Sequence, residues 1–299
     1  MTTQPTPANW LSIFALGLIW GGTFMVVSMA LEGYGPLTVA CARTSLGALA
    51  LLGLMTAMGR PLPSRAAMKH LLWIGALNTA LPFSLLSWGQ QYVPSAFAGI
   101  SMAALPLLVL PLAHWFSDEK LNARRLLGVA IGFTGALVLI GPSVLRIGTG
   151  MEPIGQLACL GATLSYAVSS VLTRRCPPVD SITLAAFTLV VGAAILIPAM
   201  LVFEGVPTWA GPKSGIAILF LGFFPTALAA LLRVMVIRTA GSVFMTLVNY
   251  QVPLWSVVFG TVVLHEDLPV RFFYALALIL SGLAVSQWRR PIRIFGPRA

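Results

Sequence analysis

Charged residues are scarce in this sequence. Lysine, arginine, aspartate and glutamate make up 9% of its 299 residues, whereas hydrophobic residues make up 58%. Because soluble domains carry about a quarter charged residues, this composition excludes an ordinary soluble protein. No stretch between the hydrophobic runs is long enough to form a separate soluble domain. The sequence is therefore typical of an integral membrane protein.

Cysteine is also rare, and the cysteines that occur are scattered. Cys41, Cys159 and Cys176 lie far apart, and none of them belongs to a CxxC pair. Metal sites and disulfide frameworks need clustered or paired cysteines. We therefore expect no metal and no cofactor, and we interpret all three cysteines as small packing residues.

Hydrophobic runs recur along the whole chain, and each is long enough to cross a bilayer as a helix of about 20 residues. The first run follows a segment without basic residues and is longer than a signal-peptide core, so we expect an uncleaved first helix. Short joints predict antiparallel neighbours in an all-α membrane protein of ten transmembrane helices. The predicted spans are 10–31, 36–58, 67–90, 95–116, 121–140, 153–174, 179–202, 214–237, 242–264 and 269–288.

The formal net charge of +10 could indicate a nucleic-acid partner. The basic residues, however, lie in short loops rather than in patches with interleaved aromatic residues, so we expect no nucleic acid. If the N-terminus is cytoplasmic, the external side receives only Arg146, Lys213 and Arg271, which agrees with the positive-inside rule and places both termini in the cytoplasm. The basic residues then assigned to the internal side are Arg60, Arg65, Lys69, Lys120, Arg124, Arg125, Arg174, Arg175, Arg233, Arg238, Arg289, Arg290, Arg293 and Arg298.

The two halves of the chain resemble each other. We expect a first repeat over 1–146 and a second over 147–299, which includes a cytoplasmic tail. Each repeat would contain five helices, and an odd number inserts the second repeat upside down, as in many transporters with a midplane site between their halves. Channels and some enzymes are also duplicated, so these classes stay open at this point. A shift of 147 residues places Gly75 on Gly222, Thr79 on Thr226, Ser95 on Ser242, Pro106 on Pro253, Glu119 on Glu266 and Gly135 on Gly282.

Short motifs in both halves resemble one family. The segment from Leu18 to Phe24, LIWGGTF, resembles the N-terminal signature of the EamA family in the drug/metabolite transporter superfamily. Asp118–Leu121 and His265–Leu268 are similar to that family's joint before the last helix of each repeat, and Arg43 stands where many members carry an arginine. The resemblance implies a two-repeat inner-membrane carrier that moves small organic molecules by alternating access. Within the family the chain is most similar to the YddG-type aromatic amino-acid exporters.

Acidic residues are absent from the middles of the predicted helices. Residues such as Glu32, Asp180 and Glu204 all fall at helix ends. Because polar groups at membrane depth are expensive and usually functional, a coupled carrier commonly keeps a carboxylate there. The pattern favours an uncoupled facilitator, with a proton-coupled metabolite antiporter as an alternative.

Four prolines lie near the middles of predicted helices, where each removes an N–H and leaves the carbonyl four residues earlier without its helical partner. Such carbonyls are tolerated mainly where protein or water satisfies them. We hypothesise hinges around a central cavity that accepts a substrate ammonium, and the alternative is kinks that serve only packing. The prolines and the residues whose carbonyls they release are Pro82 with Asn78, Pro106 with Met102, Pro225 with Leu221 and Pro253 with Asn249.

The other candidate substrate-binding residues are of three kinds. Deep aromatic rings could stack against an aromatic substrate or pack in the core. Hydroxyl groups could bind the substrate or bond back to their own helix. Arg43 could pair with a substrate carboxylate or reach helix ends near the outer face, and the structural role is favoured because long basic side chains snorkel. The aromatic residues are Trp20, Tyr166 and Trp255, and the hydroxyl residues are Thr79 and Ser101.

Two other function classes fit the sequence less well. An intramembrane enzyme would show aspartate-rich pairs or a GxSxG elbow with a buried histidine, and neither pattern is present. A channel usually derives its symmetry from several chains, whereas here the symmetry lies within one chain, which allows a monomer. We therefore expect a transporter of a small molecule, with membrane lipid as its other partner. Within transport, cationic or apolar drugs are the alternative substrates.

Overall fold

The computed structural model describes residues 5–116, 122–142 and 150–287, and within these ranges its regular elements are helices, without a strand. Two π-helical segments interrupt the chain, Ala76–Ala80 before α4 and Phe223–Leu228 before α11. The α-helices are α1 (Pro7–Leu31), α2 (Pro36–Ala57), α3 (Arg65–Gly75), α4 (Leu81–Gly89), α5 (Ser95–Ala103), α6 (Leu105–Phe116), α7 (Ala123–Ile140), α8 (Glu152–Arg175), α9 (Ser181–Phe203), α10 (Pro212–Gly222), α11 (Ala229–Ala240), α12 (Ser242–Met245), α13 (Val248–Val262) and α14 (Val270–Gln287).

Nine helical stretches in the described part of the chain are long and apolar enough to cross a membrane. The predicted span 242–264 is instead divided into α12 and α13, and α13 has 15 residues, fewer than the roughly 17–25 of a typical spanning helix. The nine stretches are Pro7–Leu31, Pro36–Ala57, Arg65–Gly89, Ser95–Phe116, Ala123–Ile140, Glu152–Arg175, Ser181–Phe203, Pro212–Ala240 and Val270–Gln287.

Local caps explain where the helix ends differ from the predicted spans. Helix α1 begins at Pro7, because the Thr6 hydroxyl accepts a hydrogen bond from the Asn9 N–H at 3.3 Å and proline suits the first helical position. Helix α11 continues to Ala240 and ends at Gly241, whose φ of 89° favours glycine. Arg233 lies inside this helix, in agreement with the predicted span 214–237, and so does not belong with the basic residues of the internal loops.

Two glutamates of the second half cap helices of the first half. The Glu204 carboxylate accepts hydrogen bonds from the N–H groups of Leu37 and Thr38, both at 2.8 Å, at the start of α2. The Glu266 carboxylate accepts from the N–H of Ser95 at 2.6 Å, at the start of α5. An anion at a helix N-terminus satisfies free donors and favours the helix dipole, so both contacts hold the halves together.

The ion pairs of the described residues lie at helix ends, on two opposite faces. On one face, Asp180 lies 3.6 Å from Arg60 and 3.7 Å from Arg238. On the other face, Glu32 contacts Lys213 at 2.6 Å and Glu152 contacts Arg271 at 3.6 Å. The segment Asp118–Leu121, Arg146 and the basic tail (Arg289, Arg290, Arg293 and Arg298) lie outside the described residues.

Corresponding helices of the two halves pack against each other in opposite directions. The start of α2 contacts Glu204 at the end of α9, and Arg60 after α2 contacts Asp180 before α9. Helix α7 packs on α14 in the same manner, with Gly128 near Gly282 and Gly135 near Ile279. Small residues thus allow close contact between backbones, as they commonly do in membrane helices.

Reciprocal glycine–threonine contacts join α2 and α9 to the π-helical segments. Gly47 of α2 packs against the Thr226 side chain, and Gly192 of α9 packs against the Thr79 side chain. Thr226 is the repeat equivalent of Thr79, and a methyl group placed on Gly192 would lie 2.7 Å from Cγ2 of Thr79. The same contact therefore occurs twice, once in each direction between the halves.

Candidate functional site

The two π-helical segments occupy equivalent positions in the repeats. A shift of 147 residues moves Ala76–Ala80 onto the first five residues of Phe223–Leu228. Pro82 follows the first segment, and Pro225 lies within the second. Proline cannot complete the regular bond pattern, and π-helical turns inside α-helices are often found at functional sites. The helices therefore widen at Pro82 and Pro225, and the hinge role of these prolines stays a prediction.

Protein donors satisfy carbonyl groups at these segments. The Ser165 hydroxyl donates to the Leu77 carbonyl at 2.7 Å, and the Trp20 indole N–H donates to the Pro225 carbonyl at 3.1 Å. The Leu221 carbonyl, which Pro225 was expected to leave open, accepts a hydrogen bond from the Thr226 hydroxyl at 2.8 Å. This carbonyl is therefore already paired, because its own helix supplies a donor.

The chain also departs from regular helix before Pro106. Helix α5 ends at Ala103, and the Ala104 N–H donates to the Ser101 carbonyl at 3.1 Å, one residue short of the α-helical partner. The Ser101 hydroxyl donates to the Ala98 carbonyl at 2.7 Å, so it is used within its own helix. Met102 is half-buried beside this break.

A similar tightening precedes Pro253. The Asn249 N–H donates to the Thr246 carbonyl at 3.0 Å, and the Tyr250 N–H donates to the Leu247 carbonyl at 3.3 Å. These i→i+3 bonds are of the tighter 3₁₀ type, and they separate α12 from α13. Asn249 is half-buried at this point.

Arg43 forms the centre of a cluster contributed by three helices. Its side chain comes from α2 and is 5% exposed, and its guanidinium carbon lies 3.9 Å from the ring centre of Phe83 on α4. Tyr166 on α8 lies close enough for its phenol to interact electrostatically with Arg43. Within the described residues, Arg43 Nε has no hydrogen-bond partner and Arg43 forms no ion pair. Among the described residues, the groups that interact with this cation are the ring of Phe83 and the phenol of Tyr166.

Other predicted residues form contacts of their own. Thr79 is buried against Gly192, and Asn78 is exposed. Trp255 packs edge-on against Phe14, with 5.6 Å between ring centres. With Gln251, Leu254 and Val258, it lines a groove of about 240 Å³ along one side of α13.

Phe83 is the site residue that sequence reasoning missed. It immediately follows Pro82, so an aromatic residue beside a predicted hinge was the available signal. Arg43 and Tyr166 were both predicted, and the fold brings them together. The described residues contain no group of three potential metal ligands.

Comparison with known proteins agrees with a membrane transporter. The model of the EamA-like transporter family matches residues 9–141 and 153–287, once in each half. The uncharacterized transporter YoaV of Bacillus subtilis is 24% identical over 281 residues, which cover 93% of this chain and 96% of the relative. The uncharacterized inner membrane transporter YedA of Escherichia coli is 27% identical and covers 92% of this chain and 89% of the relative.

The fold is also found in a solved structure. A crystal structure with 22% sequence identity superposes with a TM-score of 0.65, over 94% of this chain and 97% of that chain. This similarity concerns the fold alone. The family model, in contrast, matches most of the chain in two consecutive copies, and the protein therefore belongs to the EamA-like transporter family.

Proposed function

We propose that this protein is an inner-membrane carrier that exports small metabolites, with aromatic amino acids as its substrate class, by alternating access and without a coupling ion. The family supports transport, and one relative is named an inner membrane transporter. The substrate class rests on the Arg43 cluster, which combines a cation with the rings of Phe83 and Tyr166. Such a cluster suits a molecule that carries both an aromatic ring and an acidic group.

We also propose ten membrane helices in two inverted five-helix repeats, the first over 1–146 and the second over 147–299. The ninth helix would consist of α12 and α13 with the tightened turn between them. Antiparallel packing of α2 on α9 and of α7 on α14 supports inversion, because an in-plane two-fold axis relates equivalent helices in that manner. Both termini would then lie in the cytoplasm.

The distribution of acidic groups supports transport without a coupling ion. In the described part of the chain, the acidic residues lie at helix ends, where Glu32, Glu152 and Asp180 form ion pairs and Glu204 and Glu266 cap helices. None of them is placed at the depth of Arg43. A carboxylate that binds and releases a proton during transport is therefore absent from the described helix middles.

Counterflow in proteoliposomes tests this function. Vesicles loaded with unlabelled phenylalanine, tyrosine or tryptophan should take up the labelled amino acid transiently, with saturable rates that an ionophore abolishing the pH gradient leaves unchanged. Protein-free vesicles are the control. Absence of counterflow with all three amino acids would contradict the substrate class, and ionophore-sensitive uptake would favour the proton-coupled alternative. Counterflow of an organic cation alone would favour drug export.

A further inference from the structure

We propose that Arg43 makes this carrier selective for substrates with a carboxylate, by pairing its guanidinium with that group beside Phe83 and Tyr166. The proposal rests on the proposed transport function and deepens it, because it states which chemical group a substrate must carry. Aromatic character alone would then be insufficient for binding.

The charge of Arg43 has no compensation inside the described part of the protein. An arginine side chain stays protonated in proteins, and this one is 5% exposed. The described carboxylates are engaged at helix ends or, as with Asp267, exposed there. An unpaired charge in a membrane helix is unfavourable in free energy. The presence of Arg43 at this position is explained if the substrate supplies the opposite charge.

The guanidinium of Arg43 keeps a buried N–H donor that no described residue uses. The guanidinium carbon lies 3.9 Å from the ring centre of Phe83, and a cation–π contact of this kind does not require the N–H donors to bind an acceptor atom. Nε in particular has no hydrogen-bond partner among the described residues. A carboxylate binds arginine through two parallel N–H···O bonds in that plane, and Nε–H can supply one of them.

A purely structural role for Arg43 would require different contacts. A snorkelling arginine would extend towards water or towards free carbonyls at a helix end. Arg43 is instead buried beside Phe83, and no hydrogen bond to a carbonyl is formed by its Nε within the described residues. Its surroundings therefore fit a binding group better than an anchor.

Binding to the purified full-length protein in detergent gives the first test. The probes are 3-phenylpropionate and its amide, which differ only in the acidic group, and the readout is the thermal unfolding temperature at increasing probe concentration. The acid should stabilise the wild type, and the amide should not. Arg43→Gln should weaken binding of the acid roughly tenfold or more, since a charge-assisted pair is lost. Arg43→Lys should be intermediate, because it keeps the charge without the planar fork.

Arg233→Gln is the matched control, because it removes the same charge from another membrane helix where the side chain is exposed. It should leave the difference between acid and amide unchanged. Equal stabilisation by the two probes, or undiminished binding of the acid to Arg43→Gln, would overturn the proposal.

Stability without probe separates binding from folding. If Arg43 is held for the substrate, the unliganded Arg43→Gln protein should unfold at the wild-type temperature or above it, because an unpaired buried charge has been removed. A lower unfolding temperature together with unchanged selectivity between acid and amide would assign Arg43 a structural role instead. If Arg43-dependent binding of 3-phenylpropionate occurs but no aromatic amino acid is transported, the proposed substrate fails while the carboxylate requirement stands.

Discussion

Single side chains complete the backbone hydrogen bonding where membrane helices become irregular. Ser165 and Trp20 each donate from the first helix of one half to the π-helical segment of the other half. Because lipid offers no donor for a free carbonyl, each irregular turn needs a polar side chain opposite it. The hydroxyl of Ser165 and the indole of Trp20 thus stabilise the contact between the halves, in addition to any role with substrate.

Ser165→Ala should lower the stability of the unliganded protein by roughly 1–3 kcal/mol, because it leaves the Leu77 carbonyl without its donor. Ser170→Ala is the control, because that hydroxyl bonds only to the Tyr166 carbonyl of its own helix. Thermal unfolding of the two purified variants measures the difference. Equal unfolding temperatures for Ser165→Ala and Ser170→Ala would contradict this account.

At the scale of a helix, the sequence predicted positions of irregularity better than their form. Pro82, Pro106, Pro225 and Pro253 each lie within or shortly after an irregular turn, in keeping with the N–H that proline lacks. Whether the turn widens to a π-helix or tightens to i→i+3 bonds depends on which side chains face it. That information comes from distant residues such as Ser165, and it cannot be derived from the pattern of one helix.

The candidate site was predicted only in part for the same reason. Arg43 was recognised as a charged residue inside an apolar run, and Tyr166 as a deep aromatic residue. Phe83 was missed because it is one of sixteen phenylalanines, and the sequence does not show which of them contact Arg43. Trp255 was predicted to join the site because of its depth in the helix. Its position on α13 instead brings it into contact with Phe14.

Pro106→Ala and Pro253→Ala should each slow transport while the protein still inserts and folds. Restoring an N–H allows a regular helix to form across the irregular turn, which reduces its bend. Initial counterflow rates in proteoliposomes, normalised to the amount of inserted protein, measure the effect. Rates equal to that of the wild type would show that these prolines serve packing alone.

Gly47→Ala should lower the free energy of unfolding by about 1–3 kcal/mol, because its methyl group would overlap the Thr226 side chain. The contact affected is the one between α2 and the π-helical segment Phe223–Leu228. Thr226→Ser removes the opposing methyl group and should restore much of that stability. Gly53→Ala in the same helix is the matched control, since no atom lies within 4 Å of its added carbon. Thermal unfolding provides the measurement, and equal effects at Gly47 and Gly53 would be inconsistent with close packing there.

Across the whole molecule, the cysteines provide a test of orientation. Cys41 and Cys159 are buried, whereas Cys176 is half-buried just after α8, at the end assigned to the cytoplasm. A membrane-impermeant maleimide should therefore label Cys176 in inverted vesicles and leave right-side-out vesicles unlabelled. Cys176→Ser should abolish labelling, and labelling from the periplasmic side would reverse the proposed topology.

The same reaction should depend on pH. Burial raises the pKa of the Cys176 thiol, and only the thiolate reacts. A raised pKa keeps the thiolate fraction low at neutral pH, so the labelling rate should reach half its maximum at a higher pH than the roughly 8.5 of an ordinary exposed cysteine. Rates measured between pH 7 and 9.5 test this, with a small-molecule thiol as reference. A labelling rate that reaches half its maximum at the same pH as the reference thiol, or at a lower pH, would contradict this prediction.

The carboxylate caps between the halves have a consequence for biogenesis. Translation releases the starts of α2 and α5 long before Glu204 and Glu266 have been synthesised. Until those residues leave the ribosome, the N–H groups at the starts of both helices lack their carboxylate acceptors. The N-terminal caps of α2 and α5 are therefore completed only when the second half of the chain has been synthesised.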